Sequence, residues 1–145
     1  MSTNEEPTES GQDWVAEHAR RYVESAGADG HDWRGVPTLL LTVRGRSSGK
    51  LRRTALIYGE DEGRYLVVAS FGGAPKHPQW YSNLVAEPQV QVQVRDEVFD
   101  AVARTADPAE KARLWPKVAA IWPDYDEYQK KTDRDIPVVI LERAS

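Results

Sequence analysis

Short runs of apolar and β-branched residues dominate the middle of the chain, and they predict strands rather than helices. Residues 38–43 form the longest run, which lies between Pro37 and Gly45. Residues 90–94 alternate valine with glutamine, the pattern of a strand with one buried face. The other predicted strands are residues 54–58, 65–70, 98–104 and 136–141. Strands connected largely by hairpins predict an antiparallel sheet or a small barrel.

Four further segments have helical periodicity, namely residues 12–26, 77–86, 109–121 and 124–131. The third has a clear start signal, because Asp107 can cap it, Pro108 suits its first position and Glu110 completes a capping box. Pro116 is expected to kink or divide that helix. Strands with short helices around them predict an α+β domain.

The chain organisation predicted from these elements has three parts. Residues 1–11 are polar and acidic, which favours a disordered tail. Residues 12–35 are expected to form an amphipathic helix and a linker, and residues 36–145 a single folded domain. No apolar run approaches the ~20 residues of a membrane span, and no leader-like segment opens the sequence. We therefore expect a cytoplasmic protein without membrane association.

Composition narrows the chemistry available to this domain. The 145 residues include no cysteine and only three histidines, which are scattered along the chain. A disulfide framework, a thiol nucleophile, a zinc ribbon and an iron–sulfur cluster are thereby excluded, and we expect no metal site. The sequence also lacks the G-x-G-x-x-G, G-x-S-x-G and H-E-x-x-H motifs of dinucleotide-binding domains, serine hydrolases and zinc proteases.

The net charge of −4 conceals one compact basic segment. Between Trp33 and Gly59 there are six basic residues and no acidic one, and five of the six lie in the loop of residues 44–53. Its glycines, serines and cations could bind a phosphate or carboxylate, whereas the alternative is a solvated hairpin tip. The loop is not a Walker A motif. Nucleic acid is disfavoured as a partner, because the flanks are acidic and no aromatic residue interrupts the basic run.

Two other segments are candidates for ligand binding. Residues 70–78 connect a strand to a helix, where exposed amides and glycines can approach a flat ligand. The helix that follows carries Asn83, which is a poor helix former and a good amide for recognition. Near the C-terminus, Trp115, Trp122, Tyr125 and Tyr128 could line a flat substrate or simply pack against the barrel.

These segments together carry a family resemblance. Three runs occur in order between about Pro37 and Glu142: LLLTVRGRSSGKLRRTALIY, YLVVASFGGAPKHPQWYSNL and WPDYDEYQKKTDRDIPVVIL. They resemble the deazaflavin-dependent nitroreductase family of actinobacteria, which is related to the split β-barrel flavoproteins. The resemblance implies an α+β split β-barrel, FMN-binding-like, of about six antiparallel strands with peripheral helices.

The resemblance also implies a cofactor and an activity. Members of this family bind the reduced deazaflavin coenzyme F420 and pass a hydride to quinones, nitroaromatics or similar acceptors. The absence of cysteine is compatible with such chemistry, because the cofactor supplies the reactive atom. Two alternatives stay open at this point: a related reductase that uses FMN, and a non-catalytic carrier that sequesters the deazaflavin. The partner is then a small flat acceptor, and the chain would be a monomer or a homodimer.

Site residues follow from the same resemblance. The anionic phosphate and glutamate tail of the coenzyme would be held by residues near the basic loop, which are Thr42, Arg46, Ser47, Ser48, Gly49, Lys50 and Arg52. The deazaflavin ring would be lined by Val68, Ala69, Ser70 and Phe71, and closed in by Gln79, Trp80, Tyr81 and Asn83. Trp122, Tyr125 and Tyr128 would line the acceptor site. Tyr125 and Ser70 are the candidate catalytic residues, with Tyr125 expected to orient the acceptor more than to act as an obligate acid.

Overall fold

The periodic runs of the sequence become the long strands of one curled sheet in the computed structural model, which describes residues 8–9, 20–25, 31–33 and 36–144. The strands of these residues are β1 Thr8–Glu9, β2 Asp32–Trp33, β3 Val36–Arg44, β4 Leu51–Ile57, β5 Gly59–Asp61, β6 Arg64–Val68, β7 Gln89–Val94, β8 Glu97–Thr105 and β9 Val138–Arg143. The helices are α1 Gln79–Ala86, α2 Pro108–Ile121 and α3 Asp124–Lys131. This arrangement confirms the α+β prediction.

The sheet order is β1-β4-β3-β7-β8-β9-β6-β5, with β2 paired to β3 outside that path. All of these pairs are antiparallel except the short pairing of β1 with β4. The six predicted strands correspond to β3, β4, β6, β7, β8 and β9. The prediction missed β1, β2 and β5, because two or three residues are too few to show a periodicity.

Alternation along the strands builds the core on the concave face of the sheet. The register places Leu41 opposite Val92, and Val92 opposite Phe99, so inward residues of neighbouring strands lie side by side. Residues from β3, β6, β7, β8 and β9 join this cluster, and Leu84 of α1 is buried within it. Helix α1 is therefore anchored in the interior of the barrel.

Helices α2 and α3 cover the opposite face of β6 and β9. Leu114 and Val118 of α2 pack there with Leu66 and Ile140. The predicted capping box is present, because Asp107 Oδ1 accepts the Glu110 N–H at 2.8 Å and Glu110 Oε1 accepts the Asp107 N–H at 3.1 Å. The expectation that Pro116 divides this helix is wrong, because α2 continues to Ile121. Pro116 and Ala112 both lie on its exposed side, where water can solvate the carbonyl that Pro116 leaves without a donor.

A buried carboxylate fastens α2 to the sheet. Asp61 of β5 accepts hydrogen bonds from Arg113 at 3.1 Å, from Lys117 at 2.5 Å and from Arg64 at 3.0 Å. Its pKa is held well below the usual range, chiefly by Arg113 and Lys117. The charged residues on this side of α2 thus have a structural role away from the basic loop.

Part of the predicted N-terminal helix lies among the described residues, and residues 20–24 are helical. Tyr22 is buried against Leu40, donates its hydroxyl to the Thr38 carbonyl at 3.0 Å and accepts the Arg95 N–H at 2.7 Å. The rest of that helix lies outside the described residues. The predicted tail does so too, except for Thr8–Glu9, which form β1. Among the described helices, none is both long and apolar enough to cross a membrane.

Candidate functional site

The basic loop closes the β3–β4 hairpin and folds back on itself. The Gly45 N–H donates to the Lys50 carbonyl at 2.7 Å, and the Gly49 N–H donates to the Gly45 carbonyl at 2.9 Å. The Arg44 guanidinium holds the Gly49 carbonyl at 2.5 Å. Residues 46–50 are all exposed, so the loop presents its serines and its cations to solvent on a defined backbone.

Two glycines allow this turn. A Cβ at Gly45 would lie 2.7 Å from the Ser48 Oγ and 3.2 Å from the Lys50 carbonyl oxygen, so a larger residue would require the Ser48 side chain to rotate and the backbone at Lys50 to shift slightly. Gly49 has φ +71°, a left-handed conformation in which other residues are strained. The G-R-S-S-G spacing thus produces the compact shape of the loop.

The loop is joined to α1 through Asn83. The side-chain Oδ1 of Asn83 accepts two hydrogen bonds from Arg46, one from the backbone N–H at 3.1 Å and one from Nη1 at 2.7 Å. Asn83 is only 6% exposed, and a buried amide oxygen needs such partners. This contact explains an asparagine in the middle of a helix, and it brings two separately predicted segments together.

The second part of the site is the end of β6. Val68, Ala69 and Ser70 are buried, whereas Phe71 is 47% exposed and has φ +47°. A short 3₁₀ turn, Phe71–Gly73, follows them. A Cβ at Gly73 would lie 2.8 Å from the Tyr128 carbonyl oxygen, so this turn packs directly on α3.

Arg134 binds this strand end and was not predicted from the sequence. Its guanidinium donates to the carbonyls of Ala69 at 3.1 Å, Ser70 at 2.7 Å and Ala74 at 3.0 Å. The acceptors are about sixty residues away in sequence and are backbone atoms, so no side-chain pattern signals the contact. The only available signal was a charged residue inside the third run that carries the resemblance.

His77 links the strand end to α1. Arg134 Nη1 lies 3.0 Å from its Nδ1, and because a guanidinium can only donate, Nδ1 is the acceptor and the proton of the neutral ring is on Nε2. Burial and the nearby Arg134 charge lower the pKa of His77. The imidazole lies 4.7 Å from the Tyr81 ring, measured between centroids, and the Tyr81 hydroxyl lies 2.8 Å from Thr105 Oγ1.

The predicted acceptor-site aromatics are clustered. The Tyr125 ring lies 6.2 Å from both Trp115 and Tyr128, and Trp122 Nε1 lies 3.5 Å from the Tyr128 hydroxyl. Tyr125 is only 5% exposed, and burial raises its pKa. A phenol in this environment keeps its proton, so it is suited to donating a hydrogen bond and poorly suited to releasing a proton.

The predicted residues form a connected set of contacts with few exceptions. The basic loop touches α1 through Asn83, and the turn after the strand end touches α3 at Gly73. Between them, Tyr81 of α1 lies against His77, and Arg134 joins His77 to the strand end. Trp80 is half-buried against the barrel core, and Gln79 is exposed at the start of α1. Two predicted residues lie outside these contacts, since Thr42 is buried inside β3 and Arg52 is exposed on β4.

Comparison with known protein families gives one family match. Residues 14–143 match the family model described as F420H(2)-dependent quinone reductase. A Mycobacterium tuberculosis protein named F420H(2)-dependent quinone reductase Rv1261c is 40% identical over 130 residues, which is 87% of this chain and 87% of that protein.

Two solved structures are also similar over most of the chain. One, described as an F420-H2 dependent reductase, is 47% identical with a TM-score of 0.68, covering 73% of this chain and 94% of its own. The other, described as a domain-swapped dimer, is 44% identical with a TM-score of 0.71, covering 92% of this chain and 100% of its own.

Proposed function

This chain belongs to the F420H(2)-dependent quinone reductase family, and we propose that it transfers a hydride from the reduced deazaflavin coenzyme F420 to a flat acceptor, either a quinone or a nitroaromatic compound. The family match confirms the predicted relationship to deazaflavin-dependent reductases, and the likeness to the two solved structures confirms the predicted α+β split barrel. The observation that carries the proposal is the Arg46–Asn83 contact, which joins a preformed basic loop to the helix beside the strand end.

The basic loop fits the anionic end of such a coenzyme. Arg46 and Lys50 are exposed, and Arg46 is held in place by two hydrogen bonds to Asn83, so its charge is oriented before any ligand arrives. Ser47 and Ser48 add hydroxyl donors on the same exposed turn. We infer that these residues bind the phosphate and the glutamate tail, with Gly49 allowing close approach of the backbone.

The strand end fits the flat ring. Ala69 and Ser70 are buried, and the turn that follows packs on α3, so a ring placed here meets a fixed backbone rather than a loose loop. Tyr81, positioned by Thr105 and His77, and the half-buried Trp80 bound the same region from α1. When bound, the reduced coenzyme supplies the hydride from its C5, and the protein residues position the reactants and exclude water.

We assign Tyr125 and Ser70 to the acceptor side as hydrogen-bond donors. The raised pKa of Tyr125 keeps its hydroxyl protonated across the physiological range. A donor at the oxygen that gains negative charge stabilises that charge without giving up its own proton. Tyr128 and Trp122, which contact each other, would form the aromatic wall of the acceptor site.

The central experiment mixes purified protein with the reduced coenzyme and follows its reoxidation by absorbance in a stopped-flow instrument. Menadione and a panel of nitroaromatic compounds serve as acceptors. We expect saturable acceleration with the quinone. Acceleration with the quinone alone would remove the nitroaromatic part of the proposal, and tight binding without acceleration would identify a carrier. Preferential titration of the protein with FMN would overturn the choice of cofactor.

A charge-matched pair of variants tests the basic loop. Arg46→Gln should weaken coenzyme binding by about tenfold, and the effect should shrink at high salt because the contact is electrostatic and exposed. Arg95→Gln removes the same charge from another exposed residue. The register of β3 with β7, Thr42 opposite Gln91 and Leu40 opposite Gln93, puts Arg95 at the other end of the sheet from the loop. Equal losses in the two variants would show only a general charge effect.

A further inference from the structure

We propose that Arg134 is a positioning residue of the cofactor site, which holds the backbone of residues 69–74 in the shape that receives the deazaflavin ring. This inference rests on the proposed function, because it concerns the same site. It adds a residue that acts through the backbone it holds and that is not among the predicted site residues.

The first argument is where Arg134 directs its donors. The guanidinium bonds to three carbonyls of one short segment, at residues 69, 70 and 74, and to the His77 ring just beyond it. Among the described residues it forms no ion pair with a carboxylate. Burial lowers the pKa of Arg134 from its usual value, so the chain desolvates a cation here to satisfy backbone oxygens. Such an arrangement orders a segment that ordinary secondary structure does not order.

The second argument is the backbone conformation of that segment. Ser70 has φ −77° and ψ −39°, in the right-handed region, and Phe71 has φ +47°, in the left-handed region. Successive residues in these two conformations turn their N–H groups towards one side and form a concave site for an oxygen atom. The N–H groups of Ser70 and Phe71 make no hydrogen bond within the described part of the chain, whereas Gly73 N–H bonds to the Ser70 carbonyl. A left-handed phenylalanine is strained, so the segment needs an external support.

The third argument is that neighbouring side chains hold the backbone of Arg134 in place. Gln129 of α3 donates its Nε2 to the Arg134 carbonyl at 2.8 Å, and the Arg134 N–H donates to Thr132 Oγ1 at 3.2 Å. Gln129 Oε1 in turn accepts from Lys111 of α2 at 3.0 Å and from the Ile136 N–H at 3.0 Å. Arg134 therefore connects helices α2 and α3 to the end of β6 through a chain of hydrogen bonds. Lysine cannot replace it, because a single ammonium lacks the planar set of donors that reaches all four acceptors.

The test compares two ligands on the same variants. One ligand is the intact coenzyme, and the other is a deazaflavin nucleoside that lacks the phosphate and the glutamate tail. Arg134→Lys should weaken both by a similar factor of about ten, because the ring site is disturbed. Arg46→Gln should weaken only the intact coenzyme. The matched control is Arg104→Lys, because Arg104 makes two hydrogen bonds of 2.7 and 2.8 Å to Glu110 and, among the described residues, none to residues 69–74.

The outcomes separate this inference from the proposed function. If the wild-type protein neither binds the coenzyme nor accelerates its reoxidation, the proposed function fails. If it does both and Arg134→Lys binds the nucleoside as Arg104→Lys does, only the positioning role is refuted. In Arg134→Lys the coenzyme KM should rise by a larger factor than the acceptor KM, because Ser70 is the only residue of this segment that is assigned to the acceptor side, and general destabilisation would not produce such a split.

A second variant applies if Arg134→Lys does not fold. Gln129→Glu keeps the arginine and the two contacts in which residue 129 is the acceptor, but it replaces the donor that holds the Arg134 carbonyl with a charged oxygen that repels that carbonyl. It should weaken nucleoside binding in the same direction by a smaller factor, about threefold. Unchanged nucleoside affinity in a folded Gln129→Glu protein would overturn the inference.

Discussion

The contact between the 3₁₀ turn and α3 predicts that two glycines with the same backbone conformation differ strongly in their tolerance of alanine. Gly73 has φ +82° and Gly63 has φ +79°. Alanine at either position incurs a left-handed backbone penalty of about 1–2 kcal/mol and restricts the unfolded chain to the same degree. The two substitutions therefore differ only in what the new methyl group meets.

The surroundings of the new methyl group set the expected difference. At Gly63 nothing lies within 4 Å of the position of a Cβ. At Gly73 the Cβ would lie 2.8 Å from the Tyr128 carbonyl oxygen, 3.1 Å from the Tyr128 Cα and 3.1 Å from the Lys131 Cβ. These neighbours are mostly helix backbone, which cannot rotate away, and overpacking of this kind costs about 1–3 kcal/mol. Gly73→Ala should thus lower the free energy of unfolding by about 1–3 kcal/mol more than Gly63→Ala does.

Urea denaturation measures this difference in the free energy of unfolding, and equal m-values would show that only stability has changed. Titration of the folded variants with the coenzyme measures the effect on binding. Gly73→Ala should weaken coenzyme binding, because the turn must move away from α3 and carries Phe71 with it. Gly63→Ala should bind as the wild type does. Equal losses of stability, within about 0.5 kcal/mol, would refute the packing of the turn on α3, and normal binding by a destabilised Gly73→Ala protein would remove this turn from the site.

Three further substitutions test separate parts of the structure. Asn83→Leu removes the buried amide oxygen that accepts two hydrogen bonds from Arg46, one of them from its charged guanidinium, so the free energy of unfolding in urea denaturation should fall by about 1–3 kcal/mol. Binding of the intact coenzyme should weaken as well, and unchanged coenzyme affinity would contradict the proposed link. Hydrogen bonds from Arg104 and from the Asp107 N–H lower the pKa of Glu110 to about 2. The wild type should therefore have a higher free energy of unfolding than Glu110→Gln above about pH 5, and this difference should decline as the pH falls towards 2. A difference that does not depend on pH would refute the role of this carboxylate. Tyr125→Phe should lower kcat with menadione by about tenfold, below the 10²–10⁴ expected for loss of a general acid, whereas full turnover would exclude any role for its hydroxyl.

The sequence allowed prediction of those features that repeat along the chain or depend on neighbouring residues. Alternation at residues 90–94 located β7, and the Asp107 cap located α2 to within one residue. Asn83 was noticeable because asparagine disfavours helices, although its partner Arg46 was not predictable. β1 and β2 were missed, since strands of two residues depend entirely on the chain beside them. The contacts of Arg134 could not be predicted, because its acceptors are distant carbonyls whose positions exist only in the folded chain.

Helix α1 connects the two halves of the candidate site, and this explains how so short a helix serves both. Asn83 binds the basic loop, and Tyr81 lies against His77, which Arg134 joins to the strand end, so one helix of eight residues fixes the separation of the regions proposed to bind the tail and the ring. Leu84, next to Asn83, is buried in the barrel and prevents the helix from shifting along its axis. Because a ligand that occupies both regions gains affinity only when their spacing matches its own, the anchor of α1 in the hydrophobic core contributes to the proposed recognition together with the charges on the loop.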